Sequence, residues 1–381
     1  MTDLTVAASP TASALAEILA SGDSSAKIAP YRGALTPVGL DVRASEIEAL
    51  AHGAAVHDLG WLRRVAVRGE DRFRWLSGMV TNTVKDLAPG AGAWNLVLNA
   101  QGRIQGDLTV WRDPPQRQGP VAGDPGRDTD HLELEMAADQ YDRLLAHLDH
   151  FIIMDDVELA GVNPVEETAL GLTGPKAGEI LRRVGLPILS EPLAQAQAEF
   201  EGTPVLLRRG YGVLAEHYEI WIPAGRAGVL WQALAGAGAK PVGSAALEAF
   251  RIAEGIPAYG IDMVERDLPQ ETSQMRALHF SKGCYLGQEI VERIRSRGNV
   301  HRHLRSLELD GPLPEPGTKL AVDGAEAGHI TSAAELPLPG GARIFALGMI
   351  RAEAEQGNRP FTYAAGESTG AARLVSGAPQ L

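Results

Sequence analysis

Before residue 255 the chain runs twice through the same order of strand, helix and strand, and this repetition limits what it can fold into. Each pass has two periodicities, alternation of apolar and polar residues for strands and a three-to-four spacing for helices. In the first pass Leu62–Arg68 alternates, Gly69-Glu70-Asp71 opens a helix through Phe73, Trp75 and Leu76, and 94–99 and 106–111 form a hairpin across Ala100-Gln101-Gly102-Arg103. Residues 131–136 resume the sheet. Tyr141, Leu144, Leu145 and Leu148 mark one helix face, and 157–160 is a further strand. In the second pass 168–172 is a strand, and Gly174-Pro175 leads a helix through Ile180 and Leu181, proline being favoured at a helix start. Strands 204–209 and 217–222 pair, and helices follow at 225–234 and Ser244–Glu254. From Leu304 the pattern breaks into short apolar runs (Leu307, 319–322, 329–331, 343–350) between Gly/Pro turns, as in a small β-barrel or sandwich. Three regions are therefore expected: a peripheral segment over 1–44 with a short helix at 12–20, an α+β region over 45–303 and a β-barrel over 304–381. Residues 112–130, with four prolines and three glycines, read as a long solvated loop.

The net charge of −13 argues against nucleic acid as a direct partner, because affinity for phosphate backbones comes from cationic surface. Residues 276–305 run the other way. Seven Lys/Arg face two Glu there, a local net of +5 that leaves −18 elsewhere, and such an island suits an anionic ligand or a docking patch. No run of 18 apolar residues exists, so no membrane span is expected, and Met1 to Ser24 lacks the basic start of a secretory signal. With a single cysteine, Cys284, the chain has neither an internal disulfide nor a thiolate-rich metal site, and a reducing cytoplasm is the expected location.

Cys284 sits in Lys282-Gly283-Cys284-Tyr285-Leu286-Gly287-Gln288-Glu289-Ile290-Val291-Glu292-Arg293, the densest polar stretch of the chain. Lys282 and Arg293 would favour a thiolate if they lie close in space. Gly283 and Gly287 would let backbone approach a ligand, and Gln288 and Glu289 add an amide and a carboxylate. Three roles are open to Cys284: nucleophile or sulfur carrier, transient iron or cluster ligand together with a partner, or buried structural thiol. His301 and His303, two apart on a strand, form a candidate metal pair or a solvated basic stretch.

The pattern Lys-Gly-Cys-Tyr-x-Gly-Gln-Glu-x-x-x-Arg resembles the signature of the YgfZ family of folate-binding proteins, relatives of the glycine-cleavage T-protein (aminomethyltransferase). The likeness extends over residues 50–350 through Thr81-Asn82-Thr83-Val84 (Thr83 replacing the usual Asp), Leu98–Arg103 with Asp107, Glu216-His217-Tyr218-Glu219 and Arg251 to Met263. It implies two interlocked α+β domains, one ferredoxin-like, with a C-terminal β-barrel and a central hole for tetrahydrofolate or a one-carbon derivative. Glu219 matches the carboxylate that holds the pterin amino group and ring nitrogen, a donor pair that a carboxylate accepts in one plane. Tyr211 is a candidate for stacking on the pterin, and Arg251 is a core or folate-side cation. Asp107 corresponds to one of two adjacent aspartates at the one-carbon end in aminomethyltransferases; its partner position here is Gly106. Gly106 and Cys284 weigh against glycine cleavage. The resemblance implies support of iron–sulfur cluster assembly or repair in client enzymes, with indirect effects on tRNA modification, and iron–sulfur client or assembly proteins as partners. A tetrahydrofolate-dependent aminomethyltransferase and a non-catalytic folate-responsive scaffold are the alternatives.

Overall fold

The computed structural model describes residues 10–22, 26–113, 131–298, 300–356 and 359–381, and the backbone but not the side chain of Arg297. The proline-rich stretch 114–130 and the first nine residues lie outside them.

The first α+β unit is an antiparallel five-stranded sheet in the order Gly92–Leu98, Ile104–Arg112, Leu132–Ala137, Leu62–Arg68, Glu158–Gly161. One face is covered by Arg72–Met79 and Ala138–Asp149, which bury Trp75, Leu76, Leu144 and Leu148 against Val65, Val67, Leu108 and Val110. The second unit is six-stranded, in the order Gln195–Phe200, Thr203–Arg209, His217–Pro223, Glu167–Thr173, Ala55–Asp58, Lys240–Pro241. Helices Ala177–Arg183 and Ala227–Gly236 cover it.

Leu132–Ala137 is buried on both faces, although its Glu133 and Glu135 read as the polar half of an alternating strand. Arg208, on the six-stranded sheet and wholly buried, explains this. It pairs with Glu133 at 2.5 Å and Glu135 at 2.6 Å and donates to Gln195 at 3.0 Å, so an ion cluster joins the two units.

The barrel closes six antiparallel strands in the order Arg302–Asp310, Gly341–Arg351, Ala325–Leu338, Lys319–Val322, Phe361–Ala365, Ser368–Leu374. Its outer residues pack on both units. Leu336 and Phe345 meet helices Arg43–His52 and Ser244–Glu254, while Leu304, Leu347 and Met349 meet the hairpin residues Leu96, Leu98 and Ile104.

Residues 10–22 and 26–44 are built into the body of the molecule. Leu15 of helix Ala14–Ser21 is fully buried in the second unit's core, and the helix cap Ser13 donates its hydroxyl to buried Asp58. Lys27–Tyr31 and Ala34–Gly39 form a hairpin that reaches the centre of the molecule. The helix is short and lacks a long apolar face of its own, so its burial depends on Ala227–Gly236 and is invisible in local pattern.

Candidate functional site

Two adjoining chambers lie where the units meet. The first, about 220 Å³, is lined by Trp94, Asp107, Glu135, Gln140, Tyr211, Glu219 and Arg276 among others. The second, about 200 Å³, has Tyr31, His57, Leu59, Phe250, Arg251 and Glu254 in its wall. Arg32, Trp61, Tyr211, His217 and Ile256 line both, so the chambers share a seam. Together they fall in the range of roughly 300–1,000 Å³ usual for small-molecule sites.

Asp107 projects from the hairpin into the first chamber and is held from two sides. Trp94 Nε1 donates to Oδ2 at 2.9 Å and Gln140 Nε2 to Oδ1 at 3.0 Å, while the Asp107 backbone N–H donates to Gln140 Oε1 at 3.0 Å. Gly106 leaves room for that amide: a Cβ there would sit 2.7 Å from Gln140 Oε1 and 2.8 Å from Leu144. A side chain at 106 would have to displace the ends of Gln140 and Leu144, and this chain carries no second carboxylate beside Asp107.

Glu219 comes from the strand pairing Arg208 on one side and Gly171 on the other. It is 94 % buried, its relative exposure being 6 %. Its Oε2 has no hydrogen-bond partner, and His217 Nε2 stands 3.8 Å from Oε1. Burial, then the neighbouring Glu135 carboxylate, push the Glu219 carboxyl well above its usual range, against the pull of Arg208. The cations of this corner, Arg208 and Arg64, are already engaged by Glu133 and Glu135. Glu219 thus presents a buried carboxyl whose Oε2 meets no donor in hydrogen-bond geometry, with the Glu135 carboxyl and the Trp221 indole as its polar neighbours.

Burial lowers His217 to about 4 and takes His57 well below the ordinary imidazole value, so both rings are neutral near pH 7. The Thr173 hydroxyl bridges them, at 2.9 Å from His57 Nε2 and 2.7 Å from His217 Nδ1. In the second chamber Glu254 is raised to about 7 by burial and accepts from the backbone of Val213 and Leu214 at 2.9 Å each.

Tyr211 is 40 % exposed and lines both chambers, but one ring face is taken. The Arg276 guanidinium lies 3.6 Å from its centroid and 4.4 Å from that of Trp94, and burial lowers Arg276 to about 10. The Thr81-Asn82 segment places Arg276. Thr81 Oγ1 donates to Ala277 O at 2.7 Å, and Asn82 Nδ2 donates to Arg276 O at 2.9 Å and Trp94 O at 3.0 Å. Arg251 lines the second chamber, yet its charge is met by Glu248 and Asp262. Asp262 in turn accepts from Thr331 and Ser332 of the barrel at 2.6 and 2.7 Å, so Arg251 ties helix to barrel.

The signature run lies apart from these chambers: none of Lys282 to Arg293 lines either one. Cys284 is exposed, which rules out the buried structural thiol. Lys282 does not turn to the thiol. Its ammonium donates to Val80 O at 2.5 Å and Asn82 O at 2.7 Å, and burial, then Lys85, lower it to about 7. Tyr285 is buried beneath Lys282, and its N–H donates to Gln288 Oε1 at 3.2 Å. Gly283 faces open space and is free for a partner's approach. Gly287, at φ +79°, lets the run dock on the hairpin turn, since a Cβ there would lie 2.5 Å from Asn99 O. Glu289 and Arg293 are exposed on helix Gln288–Arg297.

Three of the seven cations of the basic island form ion pairs within the protein. Arg302 pairs with Asp267 at 2.8 Å and Glu271 at 2.9 Å, Arg305 with Glu355 at 2.6 Å, and Arg295 with Glu292 at 3.4 Å. His303 Nδ1 lies 2.7 Å from Glu355 Oε1 while His301 is exposed, so they make no metal pair. Among the described residues no cluster of three or more His, Cys, Asp or Glu could hold a metal ion. No described helix is long and apolar enough to cross a membrane.

Two α+β units joined over a polar chamber, with a six-stranded barrel packed on both, is the architecture of the glycine-cleavage T-protein. The crystal structure of glycine cleavage system aminomethyltransferase T from Bartonella henselae matches with a TM-score of 0.82 over 96% of both chains, at 19% identity, a likeness of fold. Residues 27–282 match the GCVT N-terminal domain family, and the chain belongs to that family. It is 29% identical over 295 residues to a putative chloroplastic transferase of Arabidopsis thaliana, covering 75% of this chain and 63% of that protein, just under two thirds of its length. Identity to the aminomethyltransferase of Rubrobacter xylanophilus is 28% over 342 residues (87% and 85% of the two chains), and to that of Thermoanaerobacter pseudethanolicus 23% over 313 residues (80% and 81%).

Proposed function

We propose that the paired chambers bind a reduced folate, tetrahydrofolate or a one-carbon derivative, and that the protein uses it in support of iron–sulfur enzymes. The observation that carries the folate reading is Glu219, with a buried, partnerless Oε2 in the wall of the first chamber. The pterin's 2-amino group and N3–H present two coplanar donors, and an ionised Glu219 would accept both. Binding such a face draws Glu219 to its ionised form and displaces a proton. Asp107, fixed by Trp94 and Gln140, sets a negative charge in the same chamber. A bound folate would bring the one-carbon chemistry; the chain orients the ring, keeps Asp107 in one rotamer and screens the chamber from water.

The iron–sulfur role draws on the signature run. Cys284 is exposed beside open-faced Gly283, where a partner protein can reach the thiol. Complementation of an iron–sulfur enzyme defect tests this role. Wild type rescues and Glu219→Ala does not; full rescue by Cys284→Ser would remove the thiol chemistry and favour a scaffold.

Aminomethyl transfer is the second reading, favoured by the names of the relatives and by Asp107 sharing a chamber with Glu219. The lack of a second carboxylate at Gly106 opposes it. An assay for methylene-tetrahydrofolate and ammonia from an aminomethyl-lipoyl carrier, with no product formed, would dismiss it.

A further inference from the structure

The hairpin of Lys27–Tyr31 and Ala34–Gly39 breaks a local rule at its tip. Tyr31 and Ala34 pair across a two-residue turn, with Arg32 at φ +50° and Gly33 at φ +86°. Positive φ at both central positions is the type I′ pattern, which favours Asn or Asp followed by Gly. A long arginine in the left-handed region is strained, and strained residues persist where the surroundings hold them. Here the tip is pinned: the Asp139 N–H donates to Arg32 O at 3.2 Å, and Gly33 lies on the Asp139 backbone more closely than any Cβ would allow.

The result is a guanidinium at the seam. Arg32 lines both chambers, with its Cζ 5.8 Å from the Tyr31 ring centroid and 6.0 Å from that of Trp61, and those rings meet edge to face at 5.6 Å. Its Nε is buried and has no hydrogen-bond partner. Of the two carboxylates that feel the Arg32 charge, Glu248 is engaged by Arg251 and by the Tyr31 hydroxyl at 3.2 Å, and Asp139 forms no ion pair with Arg32. A planar fork of donors with a buried, unmet N–H is suited to a negatively polarised oxygen.

We propose that Arg32 is a ligand-binding residue whose guanidinium takes an oxygen of the bound folate, either the pterin ring carbonyl or the tail carboxylate. This rests on the folate reading above, and it makes the amino-terminal hairpin part of the binding site. Arg251 also has an unmet Nε, but its charge is balanced by Glu248 and Asp262, whereas among the described residues no carboxylate forms an ion pair with Arg32.

Calorimetry of wild type, Arg32→Gly and Arg32→Lys, with tetrahydrofolate and with a ring-only tetrahydropterin, tests the assignment. Arg32→Gly suits the backbone, since glycine adopts positive φ freely, so its thermal midpoint without ligand should equal or exceed that of wild type. Tetrahydrofolate should bind Arg32→Gly about tenfold to a hundredfold more weakly, the worth of one charge-assisted pair, with Arg32→Lys between. Weakening with both probes identifies the ring carbonyl, and weakening with tetrahydrofolate alone identifies the carboxylate. Arg32→Gly binding both probes as wild type does would overturn the assignment while leaving the folate reading standing. Wild type that binds neither probe would sink both.

Discussion

Replacing Arg208 by Met should show what holds the two halves of the site together. The side chain is wholly buried, and its guanidinium meets Glu133, Glu135 and Gln195 at 2.5, 2.6 and 3.0 Å. Removing one partner of a buried pair leaves uncompensated charge and costs about 3–5 kcal/mol. The loss should depend on pH in a defined direction. Burial pushes the Glu133 carboxyl up, but the Arg208 and Arg64 charges outweigh it and bring it from 4.5 down to about 2. A carboxyl lowered in this way contributes stability that is complete above 4.5 and is lost as pH falls towards 2. In Arg208→Met, Glu133 keeps Arg64 but Glu135 loses its cation, and a buried carboxyl without one takes up a proton in the folded state before the unfolded chain does. The deficit of the variant relative to wild type should therefore shrink by about 1.4 kcal/mol per pH unit and per proton as pH falls from 7 to 4.5, the titrations common to both proteins cancelling in the difference. Urea unfolding at pH 7, 6 and 5 measures this. A deficit of the same size at all three values would refute the ion-cluster argument and leave only lost packing.

Two further perturbations probe the neighbourhood of the site. Gly106→Ala places a methyl 2.7 Å from Gln140 Oε1, a flexible side-chain end, so it should cost less than about 1.5 kcal/mol in chemical denaturation while loosening the amide clamp on Asp107. Cys284→Ser, at an exposed position away from both chambers, should change the unfolding free energy by less than about 0.5 kcal/mol and leave tetrahydrofolate affinity unchanged, as read by denaturation and calorimetry.

Much of the architecture is legible because its signals are local. The hairpin carrying Asp107, the strand carrying Glu219 and helix Ser244–Glu254 each declare themselves by alternation or by helical spacing. What escapes is whatever depends on a partner far along the chain. Glu133 and Glu135 look solvent-facing until Arg208 arrives from another sheet, and the surplus of cations at 276–305 shrinks once Asp267, Glu271 and Glu355 fold against it. The signature around Cys284 stands out by its density, yet much of it serves to dock a loop: Lys282 on two carbonyls, Gly287 on the hairpin turn. Arg32 had a faint signal in its Arg-Gly turn between alternating residues, hidden because the surrounding composition resembles a linker.

The account stands on Glu219 as the acceptor for the pterin's paired donors, and titration calorimetry with tetrahydrofolate on wild type and Glu219→Gln addresses it most directly. The amide keeps the shape but replaces one acceptor oxygen with a donor. One folate per chain should bind wild type, and Glu219→Gln should lose about a hundredfold or more in affinity, two charge-assisted hydrogen bonds being worth at least that. Equal affinity for the folded variant, or no binding to folded wild type, would contradict the account.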